Sequence, residues 1–226
     1  MAKAKTSFFC QSCGHQAPKW LGKCPSCQDW NTFVEELVEV SSHPAEVWKS
    51  PSQSRNKPQP KLLQEVDFES LPKIACSDTE FSRVLGGGIV PGSLVLIGGE
   101  PGIGKSTLLL QVALSLAGTK ILYVTGEESE QQIKLRADRL EKKSESLYIL
   151  TETNTQAIFK HLVDLEPELI IIDSIQTLFS DQIESGPGSV SQIRECALEL
   201  MRFAKESNTP IFLVGHITKE GSIAGP

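Results

Sequence analysis

No stretch of this chain approaches the roughly eighteen consecutive apolar residues that a bilayer-spanning helix requires, so no membrane segment is expected. The first residues, Met1-Ala2-Lys3-Ala4-Lys5-Thr6, carry lysines but lack the apolar core of a secretion signal, and the expected location is cytoplasmic. Positive charge is not in excess: 22 Lys and Arg against 28 Asp and Glu give a net charge of −6. No global field therefore draws nucleic acid in, and any DNA contact must be local. No internal repeat is visible. The six cysteines do not suggest a disulfide scaffold, because four of them fall into two CxxC pairs.

What is there begins with Gly99-Glu100-Pro101-Gly102-Ile103-Gly104-Lys105-Ser106, which fits the phosphate-loop pattern GxxxxGK[ST] without a mismatch. It follows Leu94-Val95-Leu96-Ile97 and leads into Thr107-Leu108-Leu109-Leu110, the strand–loop–helix setting that separates a phosphate loop from a simple glycine turn. The glycines let backbone N–H groups converge on phosphate oxygens, and the helix N-terminus adds partial positive charge. Lys105 is expected to reach the β- and γ-phosphates, and the Ser106 hydroxyl to ligate Mg²⁺. The nucleoside-triphosphate site is thus expected at Gly99, Glu100, Pro101, Gly102, Ile103, Gly104, Lys105, Ser106 and Thr107. GTP specificity is not indicated, since the only Asn-Lys pair, Asn56-Lys57, precedes the loop instead of following a core strand.

Residues 1–40 read as one unit, 41–61 as a flexible Ser-, Pro-, Gln- and Lys-rich linker, and 62–226 as the nucleotide-binding core. Beyond the phosphate loop, strand candidates Ile121–Thr125, Leu147–Leu150, Leu169–Asp173 and 210–214 alternate with helix candidates 129–142, 154–165 and 189–207. Continuous apolar strands between amphipathic helices predict an α/β fold with a mainly parallel sheet covered on both faces.

Cys10-Gln11-Ser12-Cys13 and Cys24-Pro25-Ser26-Cys27 are separated by ten residues. Two such knuckles complete a tetrahedron of thiolates suited to Zn²⁺, and four sulfur ligands leave no open position, so Cys10, Cys13, Cys24 and Cys27 predict a structural, zinc-ribbon-like site. A unit this small with few aliphatics needs the metal in order to fold. His15 and His43 are rival ligands by chemistry, though each reads more simply as a surface histidine. Cys76 and Cys196 have no partner at ligand spacing, and Cys196 lies among apolar helix positions that suit a buried thiol.

Leu169-Ile170-Ile171-Ile172-Asp173 is a buried strand ending in a carboxylate able to hold the Mg²⁺ shell beside Ser106. The strand over Ile121–Thr125 leads into Gly126-Glu127-Glu128-Ser129, where a carboxylate is placed to orient and deprotonate the attacking water. Glu127 is the expected base and Glu128 its helper or a helix cap; spacing alone does not separate the two. After the last strand, His216 or Thr218 is a candidate sensor of the γ-phosphate.

The order of the zinc module with Pro18-Lys19-Trp20-Leu21-Gly22-Lys23, the glycine-rich segment 85–93, the phosphate loop, Gly126-Glu127-Glu128-Ser129 and Gly215-His216-Ile217-Thr218-Lys219-Glu220-Gly221 resembles the bacterial RadA, or Sms, family of DNA repair proteins. The resemblance implies a RecA-like ATPase that works in recombinational repair as a homo-hexameric ring. Such a ring binds single-stranded DNA and drives branch migration of branched recombination intermediates in a helicase-like way, with a recombinase or replicative helicase as a partner. It assigns Lys105, Ser106 and Thr107 to phosphate and Mg²⁺, Asp173 to the metal, Glu127 to the base, and residues 180–190 and 217–226 to loops facing DNA. The first of these loops carries Asp181 and Glu184 and no basic residue, leaving Lys19, Lys23 and Lys219 as the local cations. The family continues beyond the point matching Pro226, so the core is expected to be truncated at its C-terminal end. Two rival expectations are an ATP-gated assembly module whose zinc unit recruits a protein such as a replicative helicase, and a small-molecule kinase, which the zinc module does not suit.

Overall fold

The computed structural model describes residues 4–39, 60, 62–65, 72–183 and 185–216. The linker expected over 41–61 lies outside that set except at Pro60, as do His43, Glu184 and the segment 217–226 with Thr218 and Lys219.

The N-terminal unit is a small antiparallel sheet. Strand β1 (Ala4–Cys10) pairs with β2 (Gln16–Ala17) on one side and with β3 (Phe33–Glu39) on the other, Cys10 standing opposite Phe33. Both CxxC pairs close the same way. The N–H of Gly14 bonds the carbonyl of Cys10 at 2.8 Å, and the N–H of Gln28 bonds that of Cys24 at 2.9 Å. The residue closing each turn takes a positive φ, 71° at Gly14 and 66° at Gln28. Backbone rather than apolar bulk shapes this unit, whose buried core is Cys10, Ala17, Cys24 and Phe33.

The larger unit opens with the short helix α1 (Thr79–Val84), capped by Asp78, whose carboxylate accepts from the Phe81 N–H. It continues through β4 (Leu94–Gly99), α2 (Lys105–Ser115), β5 (Ile121–Thr125), α3 (Glu130–Arg139), β6 (Leu147–Leu150), α4 (Thr155–Leu165), β7 (Leu169–Asp173), α5 (Val190–Ser207) and β8 (Ile211–His216). The five strands form one sheet in the order β4-β8-β7-β5-β6, and every neighbouring pair is parallel.

Alternation along the strands sorts the core into two layers. Leu122, Val124, Ile170, Ile172 and Leu213 face α4 and α5. Ile121, Tyr123, Leu169, Ile171, Phe212 and Val214 face α2, α3 and Phe81 of α1. Side-chain caps fix the helix starts: Ser129 and Gln132 form a reciprocal box at α3, Asn154 caps α4 and Ser189 caps α5.

Strands β5, β6 and β7 occupy the spans read from the sequence. Two elements differ. The last strand runs on to His216 in register with β4, because Gly98 and Gly99 continue to pair with Gly215 and His216. Helix α3 stops at Arg139, short of 142, since the Leu140 N–H turns back to the Ala137 carbonyl and Glu141 takes a φ of 53°. Parallel strands all end on one edge of the sheet, so Gly99, Thr125, Asp173 and His216 bring four loops together there.

Candidate functional site

The phosphate loop leaves β4 and enters α2 through Gly104, which caps the helix at a φ of 99°, a conformation that disfavours any residue with a Cβ. The first helical residue, Lys105, is only 7% exposed. Its ammonium donates to the carbonyls of Gly99 at 2.8 Å and Glu100 at 2.9 Å, and stands 3.4 Å from Nδ1 of His216. Ser106 and Thr107 follow in the first turn of α2. The geometry fits a triphosphate: free N–H groups at a helix N-terminus, a buried cation, and no atom within 4 Å of the space a Cβ would take at Gly102 or Gly104.

Asp173 ends β7 buried. Tyr123 of β5 donates its hydroxyl to Asp173 Oδ2 at 2.6 Å, while Oδ1 is buried with no protein partner. Burial, then the Asp173 charge, holds the Tyr123 phenol far above its ordinary range, so it stays a donor. A carboxylate with one oxygen anchored and the other buried and unclaimed suits a divalent cation such as Mg²⁺.

Glu127 and Glu128 separate clearly. The Thr125 hydroxyl accepts from both of their N–H groups at 3.2 Å, which turns the two carboxylates apart. Glu128 pairs with Arg136 of α3. Glu127 Oε1 instead receives the Ser174 hydroxyl at 2.6 Å and lies 3.2 Å from His216 Nε2. Burial alone would raise the Glu127 carboxyl. The hydrogen bonds from Ser174 and His216, with the charges of His216 and Lys105, outweigh it and hold the group below its ordinary value. Gly126 makes the turn possible: a Cβ there would meet the Thr177 hydroxyl oxygen at 2.4 Å.

Lys105, His216, Glu127 and Ser174 thus form one series of contacts across four strand ends. Sequence reasoning missed Ser174, Tyr123 and Arg136, and it missed Gln176, which donates from Nε2 to the His216 carbonyl at 3.4 Å. Ser174 stands next to Asp173 in the chain, the one signal that could have found it. The described part of the loop after β7 is pinned by the buried Gln192. This side chain donates to the carbonyls of Ser180, Ile183 and Ser185 and accepts from the Ser180 N–H.

A second cluster lies in the small sheet. Sγ atoms of Cys10 and Cys27 are 3.6 Å apart and those of Cys13 and Cys24 3.5 Å, all four lying within 4.8 Å of one another. Tetrahedral Zn–S bonds imply sulfur separations of about 3.8 Å, so the donor set fits zinc. Burial opposes ionisation of Cys10, but the Thr32 hydroxyl and the backbone N–H groups of Cys13 and Ser12 prevail and bring this thiol down to about 6. His15 is not part of the group; its ring stands edge-on to Phe33. Cys196 is buried on α5, and burial, then Glu199 and Glu195, push its thiol up to about 12, as befits a packing residue.

The family described as "AAA domain" matches residues 57–222, and that described as "Rubredoxin metal binding domain" matches residues 8–35. The DNA repair protein RadA of Halalkalibacterium halodurans is 53% identical over 228 residues, covering 100% of this chain and 50% of the relative. RadA of Bacillus subtilis is 51% identical over 229 residues, and RadA of Listeria monocytogenes 48% over 230, again covering all of this chain and 50% of each relative. The chain therefore spans about half the length of the curated relatives it matches. A solved structure of a DnaB-like replicative helicase, described with its interactions with primase, superposes with a TM-score of 0.55 at 16% identity, over 65% of this chain and 44% of that one. At that identity the likeness concerns the fold, a parallel α/β core of the RecA and DnaB kind carrying a four-cysteine zinc-ribbon module. The chain belongs to the AAA-domain family and, within it, is similar over its whole length to the N-terminal half of the RadA DNA repair proteins.

Proposed function

We propose that this chain is the nucleotide-hydrolysing half of a DNA-dependent ATPase of recombinational repair, which binds single-stranded DNA and drives branch migration as a ring-shaped motor. The observation that carries the reading is the contact series Lys105–His216–Glu127–Ser174, which links the phosphate loop to a carboxylate kept ionised.

The N–H groups at the start of α2 and the Lys105 ammonium receive the phosphates of ATP, with Ser106 and Thr107 beside them. Ser106 and Asp173 would hold Mg²⁺, which would supply charge neutralisation at the β- and γ-phosphates. Glu127 orients water and accepts its proton. With a lowered pKa it is a modest base, which suits a loose transition state in which the proton leaves late. His216 touches both Lys105 and Glu127, so occupancy of the phosphate site is felt at the base. Cys10, Cys13, Cys24 and Cys27 would hold Zn²⁺, which would organise residues 1–40 as a module, with 41–61 as linker and 62–226 as core. The whole protein acts in the cytoplasm as a homo-hexamer.

The test is ATP hydrolysis with and without single-stranded DNA, on this chain and on a version continued past Pro226. Lys105→Ala and Glu127→Gln are each expected to lower kcat by about a hundredfold or more. Hydrolysis that ignores DNA in both lengths overturns the reading. A second reading is an ATP-gated assembly module whose zinc unit recruits a protein such as a replicative helicase. It draws on the contact of Arg194 Nη1 with the Gly14 carbonyl at 2.9 Å, which joins the zinc unit to α5. Partner capture that depends on Cys24 and survives loss of DNA binding favours it.

A further inference from the structure

The zinc module exposes two tryptophans that its own core does not use. Trp20 is 52% and Trp30 69% exposed, and among the described residues the only other exposed large aromatic is Tyr148, on β6. The two indoles share one spot. A Cβ on Gly22 would lie 3.6 Å from the Trp20 ring and 3.9 Å from that of Trp30, so both rings border the same backbone position.

The backbone fixes this arrangement. The Asn31 N–H donates to the Gly22 carbonyl at 2.9 Å, and Lys23 forms an antiparallel bridge with Trp30. The Lys23 ammonium stands 5.7 Å from the Trp30 ring centroid, and Lys19, also exposed, precedes Trp20. Metal ligands Cys24 and Cys27 follow directly, so the loop is anchored by the same cluster that organises the module.

We infer that Trp20 and Trp30 form a stacking platform for the bases of a single-stranded nucleic acid, with Lys19 and Lys23 meeting its phosphates. The inference rests on the DNA-dependent reading above and names a contact surface outside the nucleotide site. Flat π faces beside flexible cations are the chemistry that single strands require, because every base offers a face to stack on. The loop from Pro18 to Asn31 holds two lysines and one acid, Asp29, so two flexible cations stand beside the indoles in a chain whose net charge is −6. Four thiolates around a divalent ion leave about two negative charges nearby, which the two lysines offset. Stacking therefore dominates over charge, and salt dependence is shallow: two phosphate contacts give a slope of log K against log salt of about −1.4.

The experiment is fluorescence anisotropy of labelled oligo-dT with the zinc-loaded chain, without ATP, alongside ATP hydrolysis on the same samples. Trp20→Leu and Trp30→Leu keep an apolar side chain but lose the aromatic face, and each is expected to weaken binding about tenfold or more. Trp20→Phe and Trp30→Phe retain most of the affinity. Lys19→Ala with Lys23→Ala flattens the salt slope. Zinc content measured on each variant shows that the module is intact. Leucine variants that bind as the wild type does, leucine and phenylalanine variants that fall equally, or no binding of oligo-dT at all, each overturn the platform; the second points to a protein on this surface. Tryptophan-dependent binding with hydrolysis indifferent to DNA leaves the platform standing and defeats the ATPase reading. DNA-stimulated hydrolysis with tryptophan-independent binding does the reverse.

Discussion

A hydroxyl that no motif names helps to hold the Glu127 carboxyl below its ordinary value. Ser174 is buried and donates to Glu127 Oε1 at 2.6 Å, so it favours the charged carboxylate and opposes the upward pull of burial. Deleting that hydroxyl removes stabilisation of the charged form alone, and the carboxyl pKa must rise. In Ser174→Ala the acidic limb of the kcat profile for ATP hydrolysis is therefore expected to move to higher pH. At neutral pH kcat is expected to fall about tenfold, with KM for ATP little changed because Ser174 touches Glu127, the proposed base, and not the phosphate loop. Ser174→Thr keeps the hydroxyl and restores the profile. A limb that stays in place would mean that Glu127 does not set it. The residue also marks where sequence reading stops. Asp173 is legible because an apolar run ends in a carboxylate beyond a phosphate loop. The Ser174–Glu127 contact spans 47 positions and exists only because β7 lies beside β5. Strand order is a tertiary fact, and local pattern does not encode it.

Among the elements, α5 does more than cover the sheet. Its inner face carries Gln192 and Glu199 as well as Ile193, Cys196 and Leu200, and the two polar side chains hold the segment that follows β7. Glu199 Oε1 accepts from Ser180 at 2.8 Å and Gln156 at 3.1 Å, while Oε2 is buried without a partner. Burial, reinforced by Glu195 and only partly opposed by the Ser180 hydroxyl, raises this carboxyl above its ordinary value. An acid whose folded pKa is raised binds its proton more tightly when folded, so stability falls as pH climbs from the unfolded pKa through the folded one. Glu199→Gln keeps the acceptor and removes the charge. It is expected to raise stability at neutral pH by about 1 kcal/mol, seen as a higher Tm, and the gain should vanish in acid where Glu199 is itself neutral. A gain that persists unchanged at low pH would assign the effect to packing. The span of α5 was legible from its one-sided apolar spacing. The two buried polar groups on that face were not, because their partners lie on the loop from Ser180 to Ser185 and on α4.

At the scale of the molecule, two units of different physical character share one chain. The parallel sheet is held by two apolar layers and needs no ion, while among the described residues of the zinc module the buried apolar core is only Cys10, Ala17, Cys24 and Phe33. A metal ion held by its four thiols would therefore be its main source of folding energy. Stripping zinc with a chelator at neutral pH is expected to raise amide exchange in β1 and β3 by at least about a hundredfold, while β5, β7 and β8 keep their protection. The disturbance should reach the core only at the first turns of α5. There Gly14 packs so closely that a Cβ on it would lie 2.8 Å from Val190, and there Arg194 bonds the Gly14 carbonyl. Cys24→Ser should reproduce the effect without chelator, which separates loss of the site from side effects of the reagent. Protection of β1 and β3 that survives metal removal would mean the small sheet folds on its backbone ladder alone. Exchange that spreads into β7 would mean the two units unfold as one, with the Gly14–Arg194 contact carrying far more than a single hydrogen bond. Between those outcomes lies the expected one, in which the module melts independently and takes the Trp20–Trp30 surface with it, so that oligo-dT binding and zinc content fall together while the nucleotide site stays folded.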